Sequence, residues 1–165
     1  MRLAIVGPGQ SGKTTAARWL AEHTPLRYVE STSAAAAKVV CGHPSLRDRY
    51  GSLEECYADR RNHRQQWRDI ILEYNQPDGL RLYREMSAEN DVLDGIRDAR
   101  ELQACRDAGL VDAVIWIRRD APVDVSLGFG PEAADYVVRN DGSFEELYRQ
   151  LGQSAEGLGV AVLDD

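Results

Sequence analysis

One glycine-rich stretch near the amino terminus, GPGQSGKT at residues 7–14, carries the clearest chemical signal in this chain. It matches the pattern G-x-x-x-x-G-K-[S/T], in which glycines allow backbone conformations that a Cβ forbids. An apolar run at residues 2–6 predicts a buried strand before it, and residues 15–22 predict a helix after it. A loop between a strand and a helix amino terminus directs backbone N–H groups at an anion. We therefore predict a polyphosphate-binding loop rather than an ordinary glycine-rich turn.

The side chains of this loop fit the phosphates of ATP together with Mg²⁺. Lys13 is expected to reach the β- and γ-phosphates and to be catalytic, and the Thr14 hydroxyl is expected to be a ligand of Mg²⁺. The predicted nucleotide-binding set is Gly7, Gly9, Gln10, Ser11, Gly12, Lys13, Thr14 and Thr15. ATP and Mg²⁺ are therefore the predicted substrate and cofactor.

Length, charge and cysteine content exclude several classes of protein. The 165 residues suffice for one domain with its own core, and the net charge of −7 provides no general attraction for nucleic acid. No apolar run approaches the ~18 residues of a membrane span. The chain enters a strand at once, so we expect no signal peptide, no membrane partner and a cytoplasmic location. The cysteines fit neither a disulfide framework nor a zinc site, and we predict unbonded thiols at Cys41, Cys56 and Cys105.

Strands and helices are predicted to alternate along the whole chain. Further strands are expected at residues 26–30, 91–94, 113–117, 135–139 and, at an edge, 160–163. Helices are expected at residues 34–40, 53–74, 80–86, 99–108 and 143–153. This order predicts an α/β protein with a doubly wound parallel sheet, in a single domain spanning 1–165. Ligands bind outside the carboxyl ends of such strands, so the loops after residues 6, 30, 94, 117 and 139 should line the site.

Two carboxylates follow predicted strands and are candidates for catalysis. Asp94 ends an apolar strand, where a phosphate-loop enzyme keeps a carboxylate near Mg²⁺; the alternative is a strand-end cap for the next helix. Glu30 ends the second strand and is a candidate base for an acceptor hydroxyl; the alternative is an ordinary loop carboxylate.

A basic run inside a predicted helical insert, at about 43–88, is a candidate acceptor-binding surface. Arg60, Arg64 and Arg68 recur every four residues, so on one helix they share a face that can grip a phosphate. Acidic residues intervene, so a solvated face is the alternative.

Arginines at two strand ends are further candidates. Arg97, a predicted catalytic residue, either contacts the acceptor or pairs with Glu101 four residues on. Arg118 and Arg119 end the next strand and are candidates to reach the transferred phosphoryl group. Glycines at 128 and 130 suggest a hinge or a short lid.

The motifs together resemble the phage-type P-loop deoxynucleotide kinases. Beyond the glycine-rich loop, the resemblance is carried by DGIR at 94–97 with Glu101, ADYVV at 134–138, NDGS at 140–143 and Glu146-Leu147. It covers most of the chain and implies a P-loop kinase fold that uses ATP and Mg²⁺. The group includes deoxynucleoside monophosphate kinases and kinases that phosphorylate 5-hydroxymethyldeoxyuridine within phage DNA.

The sequence leaves the acceptor open. Two carboxylates beside the acceptor suit a neutral hydroxyl better than a dianionic phosphate, so hydroxymethylated DNA, in a host cell cytoplasm, is the first expectation. The net charge of −7 counts against a DNA substrate and favours a free deoxynucleoside monophosphate. A nucleotide switch that transfers no phosphoryl group to a small acceptor is the third alternative.

Overall fold

A four-stranded parallel sheet forms the centre of the protein, whose computed structural model describes residues 1–120 and 124–163. Its strands are β1 (Leu3–Val6), β2 (Val92–Asp94), β3 (Ala113–Arg118) and β4 (Tyr136–Arg139). Their order across the sheet is β2-β1-β3-β4, and each neighbouring pair is parallel. The predicted α/β architecture with a parallel sheet is thereby confirmed.

Seven α-helices accompany the strands in the described ranges, and several start at a side chain that caps them. They are α1 (Lys13–His23), α2 (Thr32–Cys41), α3 (Leu53–Ala58), α4 (Arg64–Tyr74), α5 (Arg81–Ser87), α6 (Ala99–Asp107) and α7 (Phe144–Gly157). Ser143 and Glu146 form the capping box expected for α7, in which each side chain accepts from the other residue's backbone N–H.

Alternation along the strands divides the core into two layers, one on each face of the sheet. Leu3 and Ile5 of β1 face a layer that includes residues of α1 and α7. Ala4 and Val6 face the other layer, with residues of α5 and α6. Side chains of a strand alternate between its faces, so two buried faces require an unbroken apolar run. Because β1 and β3 have such apolar runs, both strands could be predicted from the sequence.

Two predicted strands are wrong. Residues 26–30 run beside β2 without forming a strand, because their backbone N–H groups donate to side chains and not to a neighbouring strand. Asn90 Oδ1 accepts from Val29 N at 2.7 Å, and Asp91 Oδ2 accepts from Arg27 N at 2.9 Å. Residues 160–163 make no strand either, although Leu163 N donates to His23 O at 2.7 Å.

The predicted helix over residues 53–74 is broken in the middle. A 3-10 helix, Asp59–Asn62, separates α3 from α4, and His63 has a non-helical conformation at φ −131° and ψ 32°. Asp59 accepts from Tyr50 Oη at 2.7 Å, lies 3.0 Å from His63 Nε2, and accepts from Asn62 Nδ2. Local side-chain hydrogen bonds of this kind compete with helix continuation.

The expectation of unbonded cysteines is wrong for two of the three residues. Cys41, at the end of α2, forms a disulfide with Cys56 in α3, and Cys105 is free and buried. The two bonded residues are separated by 15 positions, and only the turn between α2 and α3 brings them together. Within residues 1–120 and 124–163, no cluster of three or more His, Cys, Asp or Glu side chains is arranged to hold a metal ion. In the same ranges, no helix has the length and apolarity needed to cross a membrane.

The part of the predicted insert that contains α3 and α4 packs against α2 through a small cluster of buried side chains. Val40, Leu46 and Ile70 are buried together there, with Trp67 packed against them. Helix α5 instead contributes Leu82, among others, to the main core. The segment from α3 to α4 therefore depends on a few buried side chains and the disulfide.

Candidate active site

The glycine-rich loop is seated tightly against the carboxyl ends of β3 and β4. Gly7 has φ +144°, and a Cβ there would lie 2.4 Å from Ile117 O. Gly12 has φ +99°, and a Cβ there would lie 2.4 Å from Asn140 Nδ2. Gln10 also has a positive φ, of 59°. A turn that mixes left-handed and right-handed backbone conformations directs its N–H groups toward a common concave face, the arrangement that binds phosphate. Thr15 follows in the first turn of α1.

Lys13 places a positive charge over this loop. Its Nζ donates to Pro8 O at 2.6 Å and to Gly7 O at 3.1 Å. Burial lowers the pKa of this ammonium below the ordinary 10.5, and the nearby Arg97 guanidinium lowers it further. The predicted phosphate-binding cation is thus held at the loop by carbonyl oxygens.

The Asp94 carboxylate is hydrogen-bonded to the first turn of α1 and to two other segments of the chain. Its Oδ2 accepts from Thr14 Oγ1 at 3.0 Å and from Tyr28 Oη at 2.7 Å, and its Oδ1 accepts from Thr32 N at 2.8 Å. Burial, and then the Asp94 carboxylate, raise the pKa of Tyr28, so its hydroxyl remains a donor.

The pair of Thr14 and Asp94 fits a magnesium ion. Mg²⁺ prefers hard oxygen ligands and is commonly bound by one or two carboxylates plus substrate phosphates. Here a hydroxyl oxygen and a carboxylate that is 4% exposed meet beside the phosphate loop. The two predicted metal ligands are therefore brought together.

Asp124, which the sequence did not single out, lies at the centre of the site. Its carboxylate accepts from Gly9 N at 2.7 Å, from Ser126 Oγ at 2.6 Å, and from the Arg97 guanidinium. Hydrogen bonds from Ser126 and from Gly9 N hold the pKa of Asp124 well below its usual range. The Arg97 guanidinium binds Asp124 and Ser126 and not Glu101, and its contact with the acceptor stays a prediction.

A cleft of about 610 Å³ opens in front of the loop, and arginines form its far wall. Arg60, Arg61 and Arg64 line it together with Trp67, facing Lys13 and other loop residues. Arg60 also stacks over the Tyr57 ring at 3.9 Å. Arg60 and Arg64 are predicted acceptor-binding residues, and Arg61 belongs to the same predicted basic run.

Arg68, the third predicted acceptor-binding arginine, and Glu30, the predicted base, lie outside this cleft. Arg68, one turn further along α4 than Arg64, is not among the described residues that line the cleft. Glu30 forms an ion pair with Lys38 at 2.6 Å and lines a separate cavity of about 680 Å³ between α2, α4 and α5.

A second cleft, of about 650 Å³, adjoins the loop on the side of β3 and β4. Arg119 lines it and donates to Gln10 O at 3.1 Å, and Asn140 lines it and donates to Ser11 O at 2.8 Å. Phe144, 64% exposed, forms another wall. Arg118, the other predicted phosphoryl-contacting residue, is exposed at the end of β3.

Comparisons with known proteins bear on the fold. No protein-family model matches this chain, and no curated protein matches it. The structure is similar to shikimate kinase from Aquifex aeolicus, with a TM-score of 0.48 and 16% identity over 96% of this chain and 98% of that one. It is also similar to a sugar kinase from Janibacter sp., with a TM-score of 0.50 and 16% identity over 97% of this chain and 95% of that one. Together with the parallel sheet and the phosphate loop, the second likeness shows that the chain has the P-loop kinase fold.

Proposed function

We propose that this protein is an ATP-dependent phosphotransferase that acts on a small anionic acceptor. The observation that carries the proposal is a single cleft with a phosphate loop on one wall and Arg60, Arg61 and Arg64 on the other. Phosphoryl transfer requires donor and acceptor to be aligned across such a space, with positive charge around the transferred group.

The donor is proposed to lie along the loop with its base in the second cleft. The phosphates contact the loop N–H groups and Lys13, and the base lies between Arg119 and Phe144. An exposed aromatic ring and a guanidinium plane offer stacking surfaces to a purine. The two clefts adjoin the loop from different sides, which suits a nucleotide that spans it.

Charge stabilisation accounts for the proposed catalysis. Lys13 neutralises charge that develops on the transferred group, and Arg97 is positioned to do so once its guanidinium is free of Asp124. Thr14 and Asp94 would hold Mg²⁺, which would supply positive charge to the phosphates. Tyr28 and Thr32 N orient the Asp94 carboxylate for this role.

The carboxylates of the cleft favour an acceptor that is already anionic. Among the described residues that line the cleft, the carboxylates are Asp94, which accepts hydrogen bonds from three groups, and Asp124, which accepts from four. In the nucleotide-free protein neither carboxylate is free to take a proton from a neutral hydroxyl, and Asp94 keeps its three donors when ATP binds. An attacking phosphate oxygen needs no base, and arginines bind phosphates bidentately.

A deoxynucleoside monophosphate is therefore our proposed acceptor, in place of the hydroxymethyl group expected from the sequence. That expectation depended on Glu30 facing the acceptor, and Glu30 is paired with Lys38 in the other cavity. Trp67 offers the acceptor's base an aromatic surface beside the arginines.

One transfer experiment with labelled ATP tests the function and the acceptor. The panel contains each deoxynucleoside monophosphate, DNA with and without 5-hydroxymethyluracil, shikimate and simple sugars. We expect label in free deoxynucleoside diphosphates, and none with Lys13→Ala. Label retained on hydroxymethylated DNA, or on shikimate or a sugar, would contradict the proposed acceptor. Release of inorganic phosphate alone, unchanged by any acceptor, would favour the nucleotide switch.

A further inference from the structure

The Asp124 carboxylate lies where a polyphosphate-binding loop should hold an anion. Its Oδ2 is 2.7 Å from the N–H nitrogen of Gly9, a central residue of the loop. The same oxygen accepts from Arg97, a second group expected to meet phosphate. A backbone N–H of the loop and a guanidinium are thus both engaged by one side chain from outside the loop.

The chain is built to allow this close approach. Gly9 has no side chain, and a Cβ there would lie 3.3 Å from Asp124 Oδ2. On the carboxyl side of Asp124, Gly128 N donates to Arg97 O at 2.8 Å. Further on, the Phe129 ring packs edge-on against Trp116 at 6.1 Å between centroids. The segment that begins at Asp124 is therefore anchored to the protein at Gly128 and Phe129, and the Asp124 side chain binds its other end to the phosphate loop.

We propose that Asp124 stands in for a phosphate group in the nucleotide-free protein and that the polyphosphate of ATP displaces it. The inference depends on the proposed function, since it assumes that the loop binds ATP. It makes Asp124 a determinant of nucleotide affinity, and it makes release of Asp124 from the loop part of nucleotide binding.

Simple electrostatics excludes simultaneous occupancy. One N–H group donates one strong hydrogen bond, so Gly9 N cannot serve both the carboxylate and a phosphate oxygen at full strength. Two anions a few ångströms apart also repel each other strongly. Binding of the polyphosphate must therefore break the contact of Asp124 with Gly9 and free Arg97 for the phosphates. Asp124 keeps Ser126 as a local partner after release, since Ser126 lies two residues away.

The test measures binding of ATP with Mg²⁺ and of inorganic triphosphate by calorimetry, without any acceptor. Asp124→Ala and Asp124→Asn remove the competing charge, and we expect both ligands to bind about tenfold more tightly or better, the value of one charge-assisted hydrogen bond. Adenosine, which has no phosphate, should bind all proteins equally. Glu132→Gln is the matched control: this exposed carboxylate lies nearby in the same chain segment and accepts from Gly130 N, not from the loop. It should bind triphosphate like the unmodified protein.

The outcomes separate this inference from the proposed function. Equal or weaker triphosphate binding by both folded Asp124 variants would overturn the inference, and weaker binding would make Asp124 a direct contributor to nucleotide binding. If the unmodified protein binds ATP and transfers phosphoryl groups while the variants bind no better, only the inference fails. If neither the unmodified protein nor the variants bind triphosphate, the inference and the proposed function both fail. Circular dichroism establishes that each variant is folded.

Discussion

At the scale of single residues, the electrostatic environment of Lys13 predicts how activity depends on pH. The ammonium must be protonated to act on phosphate, and burial lowers its pKa below 10.5. Activity should therefore fall on the alkaline side at a lower pH than an ordinary lysine would give. Because the Arg97 charge contributes to this lowering, Arg97→Ala should move the alkaline limb of kcat/KM to higher pH while reducing its height. A limb that stays in place would show that another group controls it. Arg100→Ala, on the exposed surface of α6, is the control.

Asp94 allows a second prediction at this scale, through its contact with Thr14. Asp94→Asn keeps the shape of the side chain but removes the charge that attracts Mg²⁺. We expect the Mg²⁺ concentration for half-maximal transfer to rise about tenfold or more, since a charged ligand is lost. The measurement is a magnesium titration at saturating ATP. A titration curve that superposes on that of the unmodified protein would assign Asp94 a purely structural role.

At the scale of elements, the start of α4 places Arg64 at the cleft, whereas Arg68, one turn further along the same helix, does not line it. Arg64→Ala should raise the KM for the acceptor about tenfold, the cost of one charge-assisted contact, and leave the KM for ATP unchanged. Arg68→Ala is the matched control, because it removes the same charge from the same helix outside the cleft. Equal effects of the two substitutions would mean that the whole face binds the acceptor, as the unbroken helix predicted.

The disulfide between Cys41 and Cys56 ties α3 to the end of α2, so we predict that its removal destabilises the protein. A cross-link that closes a loop of about 15 residues stabilises a protein by about 3 kcal/mol in the chain-entropy account. The double substitution Cys41→Ser with Cys56→Ser should lower the free energy of unfolding by that amount, measured in urea. A reductant should lower the stability of the unmodified protein similarly and that of the double variant not at all.

Cys105 is buried, which raises its pKa to about 12, so it should not react with thiol reagents in the folded protein.

At the scale of the whole molecule, features set by local sequence were predictable, and features set by distant contacts were not. The phosphate loop lies between one strand and one helix, so its position and the contact of Thr14 with Asp94 followed from motif and strand end. Asp124 reaches Gly9 across 115 positions, and no spacing in the sequence reveals such a pair. The disulfide was also missed, because the turn after α2 brings Cys41 and Cys56 together and their spacing alone does not.

Glu30 shows how the whole fold changes the interpretation of a residue that the sequence made prominent. It follows a segment beside the sheet, as expected of a base, yet its carboxylate turns to Lys38 in the cavity between α2, α4 and α5. We therefore expect Glu30→Gln to change turnover by less than about threefold, because a positioned base would be worth about 10²–10⁴ and this carboxylate is not placed as one.

Stability should also change little with Glu30→Gln, since a partly exposed ion pair contributes about 1 kcal/mol or less. The variant is assayed with a deoxynucleoside monophosphate and with hydroxymethylated DNA as acceptors, and Lys38→Ala removes the partner charge as a control. A loss of turnover by more than a hundredfold, in a protein that still binds ATP, would return Glu30 to the role of base. The acceptor group would then be a neutral hydroxyl, because an anionic phosphate oxygen attacks without one.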